Sequence, residues 1–197
     1  MAQRTATVRT SALLDELVPV ILDEGFLDLS MADVARRLRC SKSTLYGIAA
    51  SKEQLLVTVV RTFFRGATDR VERAVAGAGT PMDRIGVYLE AISVELAPAS
   101  PRFFADVDAF EPARVIYRDN TRAAARRVQE LVQDAAPTAD ATFVGAVAGQ
   151  VMESIHRGEI RAATGLDDSA AYRSLAELIV AGLSGDHESR HPRKRSR

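Results

Sequence analysis

Cysteine is nearly absent from this chain, and histidine is scarce: Cys40 stands alone among 197 residues, beside three histidines. A single thiol builds no disulfide framework and no cysteine cluster for zinc, and its setting between Leu38 and Leu45 predicts a small buried hydrophobe. No apolar run approaches the ~18 residues that a membrane span needs, and the N-terminus carries no signal-peptide core. A cytoplasmic protein without membrane contact is therefore expected. Nowhere does a two-residue apolar alternation last long enough to make a strand. A nucleophile elbow, a glycine-rich phosphate loop after a strand and a paired His/Cys constellation are all missing, so neither an enzyme nor a cofactor is expected. Glu153, His156 and Glu159 are spaced three apart, as metal ligands can be. With one histidine and no further ligand motif, no metal site is expected there.

What is present is helical. Ser30 to Leu56 reads S-M-A-D-V-A-R-R-L-R-C-S-K-S-T-L-Y-G-I-A-A-S-K-E-Q-L-L and contains three helix starts in succession. Ser30 precedes Asp33 by three residues, Ser41 precedes Thr44 and Ser51 precedes Gln54, so each hydroxyl can accept from the first turn that follows it. The intervals predict a helix over 31–38, a turn through Arg39 and Cys40, and a second helix from Lys42 to about Ala49. This is a helix-turn-helix. Formal net charge is zero for the whole chain, yet Leu29 to Lys52 holds five basic residues and one acidic, a local +4. Residues 53–185 hold 14 basic and 18 acidic. A neutral chain with one basic face suits a protein that touches phosphates on that face only.

The stretch resembles the DNA-binding domain of the TetR family of bacterial transcription regulators. Gly25, Phe26, Ser30, Val34, Ala35, Ser41, Lys42, Thr44, Leu45, Tyr46, Ser51, Lys52, Glu53 and Leu55 match that family's pattern with unbroken spacing. The sequence departs from it at Arg39, where the family keeps a turn glycine, and at Ile48 and Ala49, which replace an aromatic pair. Arg39 is accordingly expected in a left-handed conformation. The resemblance implies double-stranded operator DNA as partner. Ser30, Ser41, Lys42, Ser43, Thr44, Tyr46, Gly47 and Lys52 would form the contact surface, with Thr44, Tyr46 and Lys52 on phosphates and Lys42 or Ser43 at base edges. A rival reading keeps the fold and loses the DNA: a helical dimer whose helix-turn-helix serves as a docking surface.

The remaining chain predicts an all-α fold of about nine helices. The first runs over 10–24 with Pro19 inside, after a polar start in which Arg4 and Arg9 read as a minor-groove arm or a frayed end. Others are expected over 52–76, 81–96, 102–110, 112–135, 139–163 and 168–183, the helix over 81–96 being apolar on most sides and so central. Residues 1–55 form the expected DNA-binding domain, 56–185 a ligand-binding and dimerisation domain, and 186–197 a disordered tail. Seven of the eleven aromatic residues fall between Phe63 and Tyr117. The resemblance places a pocket for a small apolar effector there, walled by Phe63, Phe64, Tyr88 and Ile92, by Phe103, Phe104, Phe110 and Tyr117, and by Met152 and His156. Val144, Val147, Val151 and Ile155, with Leu175, Leu178 and Ile179, form apolar stripes expected to pair two copies into a homodimer. The implied function is a dimeric repressor that a ligand releases from its operator.

Overall fold

Helix starts fall where short polar side chains can accept from the first turn: Ser30, Ser41, Ser100 and Asp140 each cap a helix with the side-chain oxygen. The computed structural model describes the backbone of residues 2–189 and the side chains of 10–184. It contains α1 (Ala2–Glu24), α2 (Met31–Arg37), α3 (Lys42–Tyr46), α4 (Lys52–Ala76) and α5 (Pro81–Leu96), then α6 (Pro101–Ala109), α7 (Glu111–Ala135), α8 (Ala141–His156), α9 (Glu159–Thr164) and α10 (Asp168–Ser189). The fold is all-α, with no strand among the described residues.

Among the described residues ten helices replace the expected nine, because the helix foreseen over 139–163 is two. Arg157 closes α8, and Gly158 turns left-handed at φ 72° before α9 begins. At the N-terminus α1 begins at Ala2 and carries Pro19 within it, so the segment expected as an arm or frayed end continues the helix. The side chains of Arg4 and Arg9 lie outside the described residues. At the other end α10 runs on to Ser189, which shortens the expected tail, and residues 190–197 lie outside the described residues.

The chain divides into two compact units, residues 1–69 with 96–120, and residues 70–95 with 121–197. In the first, Leu17, Ile21 and Phe26 share one core with Val34 and Leu45 of the helix-turn-helix, with Val59, Val60 and Phe63 of α4, and with Phe103 and Val107 of α6. The helix-turn-helix therefore has no separate core of its own.

In the second unit, Ile85 and Leu89 of α5 meet Val128 and Leu131 of α7, Met152 and Ile155 of α8, and Tyr172 and Leu175 of α10. Helix α5 is less enclosed than its composition suggests, since Val94 is 63% exposed. The small residues of α8 serve packing inside the chain. A Cβ added at Gly145 would come 2.9 Å from the backbone oxygen of Ala125, so α8 and α7 approach more closely than any larger residue allows.

Candidate nucleic-acid interface

The helix-turn-helix begins with a reciprocal cap. Ser30 Oγ accepts from the Asp33 backbone N–H at 3.2 Å, and Asp33 Oδ2 accepts from the Ser30 N–H at 3.0 Å. The hydrogen bond from the Ser30 hydroxyl is the main reason that the Asp33 carboxyl sits below its ordinary value. After Leu38 the chain reverses through Arg39 at φ 49°, the left-handed conformation expected there. A side chain in that region costs on the order of 1–3 kcal/mol, which the surrounding core must offset. The Cys40 N–H donates to Ala35 O at 2.9 Å and closes the turn.

Ser41 then caps α3. Its Oγ accepts from the Thr44 N–H at 3.1 Å and lies 2.7 Å from Ser43 Oγ and 2.8 Å from Thr44 Oγ1. Helix α3 spans only five residues, shorter than the expected 42–49. Gly47, Ile48 and Ala49 leave it as a turn, which seats Ala49 in the core and Ile48 against it. The two departures from the aromatic pair thus point inward. Lys42, Ser43, Tyr46 and Gly47 remain exposed and Thr44 half-buried, Tyr46 with 53% of its surface open.

Charge on this face is smaller than the local count suggests. Arg36 pairs with Asp33, and Arg37 pairs with Glu24 of α1. That carboxylate lies outside the window 29–52 but beside α2 in space. Lys52 donates one of its three ammonium hydrogens to the Leu27 backbone oxygen and so ties down the turn between α1 and α2. Arg39 and Lys42 are the basic residues of the window with no ion pair or hydrogen bond among the described residues. Ser30 is likewise occupied by its cap. Of the eight residues expected at DNA, Ser30, Ser41, Lys42, Ser43, Tyr46 and Gly47 are exposed, and Thr44 and Lys52 are half-buried.

The turn at 25–28 is gripped from a second side by a residue the sequence did not single out. Asp106 of α6 is buried, and its Oδ2 accepts from the Phe26 N–H at 2.5 Å and the Leu27 N–H at 2.9 Å. Gly25 makes room for it. At φ 77° it follows α1, and a Cβ there would lie 2.6 Å from that oxygen. Arg102 pairs with Asp28, the Ser100 N–H donates to Leu22 O at 2.8 Å, and the Phe26 ring meets Phe103 and Phe110 edge-on at 6.0 and 6.3 Å.

The ten residues expected to wall a ligand pocket divide between the units. Phe63, Phe64, Phe103, Phe104, Phe110 and Tyr117 belong to the first, with neighbouring rings 4.9–6.3 Å apart. Phe103 at 0% exposure and Phe63 at 3% are packed core, not open wall. Tyr88, Ile92, Met152 and His156 belong to the second. Burial pushes the Tyr88 hydroxyl above its ordinary value, and His156 Nε2 lies 2.7 Å from Tyr172 Oη in the interior of that unit. Of the residues weighed as metal ligands, Glu153 pairs with Arg157 and Glu159 accepts from Ser154, and no three His, Cys, Asp or Glu residues are arranged for a metal among those described.

The expected dimer stripe needs a correction as well. Ile155 at 1% and Leu175 at 4% are buried within the chain, so they offer nothing to a second copy. Val144, Val151 and Ile179 are half-buried. The open apolar side chains are Val147 at 38%, Leu178 at 70% and Phe143 at 64%, the last unforeseen because it lies off the valine seam.

Residues 13–59 match the family model for bacterial regulatory proteins, tetR family. The chain is similar to the HTH-type transcriptional regulator BetI of Rhizobium meliloti (strain 1021), 23% identical across 95% of this chain and 96% of that one. Its fold is that of a TetR family regulator from Cytophaga hutchinsonii (TM-score 0.69, 14% identity, 91% of this chain and 96% of that one). It is also that of SCO4454 from Streptomyces coelicolor, a TetR-family regulator (TM-score 0.68, 17% identity, 91% and 96% covered).

Proposed function

We propose that this chain, a transcriptional regulator of the TetR family, acts as a cytoplasmic homodimeric repressor that binds a near-palindromic operator and leaves it when a small effector binds. Residues 1–55 carry the DNA contact and 56–185 the regulation and pairing. The observation that carries the reading is the outer face of α3, where Lys42, Ser43 and Tyr46 stand exposed on a capped helix whose inner face is locked by Leu45, with Ala49 of the following turn in the same core. An exposed tyrosine ring beside an unpaired ammonium supports nothing inside the fold, while both groups are ordinary donors to phosphates and base edges.

A gel shift on the DNA flanking its own gene tests this directly. Affinity should fall with salt along a log–log slope of about −0.9 per phosphate contact. Lys42→Ala in both subunits should flatten that slope by about 1.8 if the ammonium reaches a phosphate, and should change sequence preference instead if it reaches a base. The rival docking surface draws on the pairing of Arg36 and Arg37 with carboxylates, and absent or salt-independent binding to every genomic fragment would favour it.

Pairing rests on Phe143, Val147 and Leu178. An obligate interface of this kind buries on the order of 2,000 Å² or more in total. Leu178→Glu should give monomers by sedimentation and abolish operator binding. It should leave helicity unchanged, because the side chain is already 70% exposed. A wild-type chain that sediments as a monomer at micromolar concentration removes the dimer from the proposal.

A further inference from the structure

Helices α4 and α7 run side by side in the first unit: the Phe64 and Tyr117 rings lie 5.9 Å apart, and Thr68 Oγ1 reaches Asn120 Oδ1 at 3.5 Å one turn on. Between them an open cavity of about 380 Å³ is lined by Arg61, Phe64, Arg65, Val115 and Ile116 at one end and by Thr68, Asp69, Asp119 and Asn120 at the other. That volume lies within the ~300–1,000 Å³ usual for small-molecule sites. Arg61 and Arg65 stand one turn apart on α4, so two like charges face the same space. Neither has an ion pair or hydrogen bond among the described residues. The chain elsewhere commits arginines to carboxylates: Arg70 to Glu95, Arg127 to Glu72, Arg157 to Glu153. Two guanidinium forks left open over the buried Phe64 ring and the half-buried Val115 and Ile116 ask for an oxyanion attached to an apolar body.

We propose that this groove binds a small amphipathic monocarboxylate, its head held by Arg61 and Arg65 and its hydrocarbon laid on Phe64, Val115 and Ile116. The acidic end sets the charge. Asp69 and Asp119, each engaged in interactions of its own, line the same cavity and repel a second negative charge, so a single carboxylate fits better than a dianionic phosphate. The site deepens the effector reading and rests on it only for the link to DNA. Arg61 lies nine residues beyond Lys52 on the same helix, about 14 Å along its axis. The apolar effector expected from the aromatic crowding is replaced by an anionic one, because those rings fill their own space.

Octanoate, 1-octanol, octylammonium and acetate, titrated into the full chain by calorimetry, test the proposal. Octanoate should saturate one site per chain. The alcohol, the ammonium and acetate should each bind at least tenfold more weakly, the first two for want of the negative head and acetate for want of the body. The double variant Arg61→Gln/Arg65→Gln should lose octanoate at least tenfold while melting like the wild type, since both side chains are exposed. Equal affinity for the three eight-carbon probes, or octanoate binding unchanged in the double variant, overturns it. Operator gel shifts without probe, run in parallel on the wild type, separate the two claims. DNA binding without octanoate binding sinks the groove alone, and octanoate binding without DNA binding sinks the regulator and leaves the groove standing.

Discussion

Asp106→Ala should destabilise the protein by about 3 kcal/mol, from the ~1.5–3 kcal/mol typical of a hydrogen bond to a charged group and the desolvation cost of the donors left behind. The melting point of a chain this size would then fall by about 6–12 °C. The carboxylate supplies one oxygen to two backbone donors, Phe26 N–H and Leu27 N–H. Phe26 is 1% exposed, so its orphaned N–H would have no water to turn to. Asp106→Asn retains an oxygen with two lone pairs at the same place and should cost only about 1 kcal/mol, the difference between a charged and a neutral acceptor. Denaturant unfolding of the two variants checks this. If alanine and asparagine lose the same amount, the hydrogen bonds are not what Asp106 contributes. The effect should extend beyond stability, because Asp106 and Lys52 hold the same short turn from opposite sides, the first through its N–H groups and the second through the Leu27 carbonyl. Loosening that turn frees the start of α2, and operator affinity should fall in Asp106→Ala at temperatures where the chain is still folded.

Most of the fold was legible because its signals are local. The helix starts at Ser30, Ser41 and Ser51, the helix spanning 81–96 and the strained Arg39 all follow from residues within one turn of each other. The break at Gly158 was missed because one glycine in a helical pattern reads as tolerated until its positive φ is seen. What the sequence hid is what joins distant segments. Asp106 lies 80 residues from Phe26, and Glu24 lies 13 from the Arg37 it neutralises, so the basic count over 29–52 overstated the charge. The rings between 63 and 117 divide for a related reason: Phe63 at 3% and Phe103 at 0% are packed core, Phe64 also lines the groove beside α7, and Tyr88 belongs to the second core. Spacing alone likewise assigned Ile155 and Leu175 to a surface that the chain's own second core occupies.

Lowering the pH from 6.5 to 5 should cost the protein about 1.5 kcal/mol through His156 alone. The side chain is half-buried at the end of α8, its Nε2 2.7 Å from the hydroxyl of Tyr172, itself 1% exposed. Burial disfavours the imidazolium and lowers the His156 pKa to about 4, with Asp168 on α10 opposing the shift. The other charged groups nearby in the chain, Glu153, Arg157 and Glu159, are paired among themselves. In the unfolded chain the imidazole returns to its ordinary value near 6.5. Above that value it is neutral in both states and the stability is fully present. Between 6.5 and 4 the unfolded chain binds a proton that the folded chain refuses, and stability falls by about 1.4 kcal/mol per pH unit until the folded pKa is reached. The window from 6.5 to 5 isolates this group, because the carboxylates titrate mainly below it. His156→Gln keeps a polar partner for Tyr172 and has no proton to gain. It should therefore show a flat stability profile over the same window, measured by urea unfolding at half-unit pH steps. A wild-type profile as flat as that of the variant would mean that the folded unit opens to protonate His156 at no cost, and that the imidazole–phenol pair is not a closed part of its core.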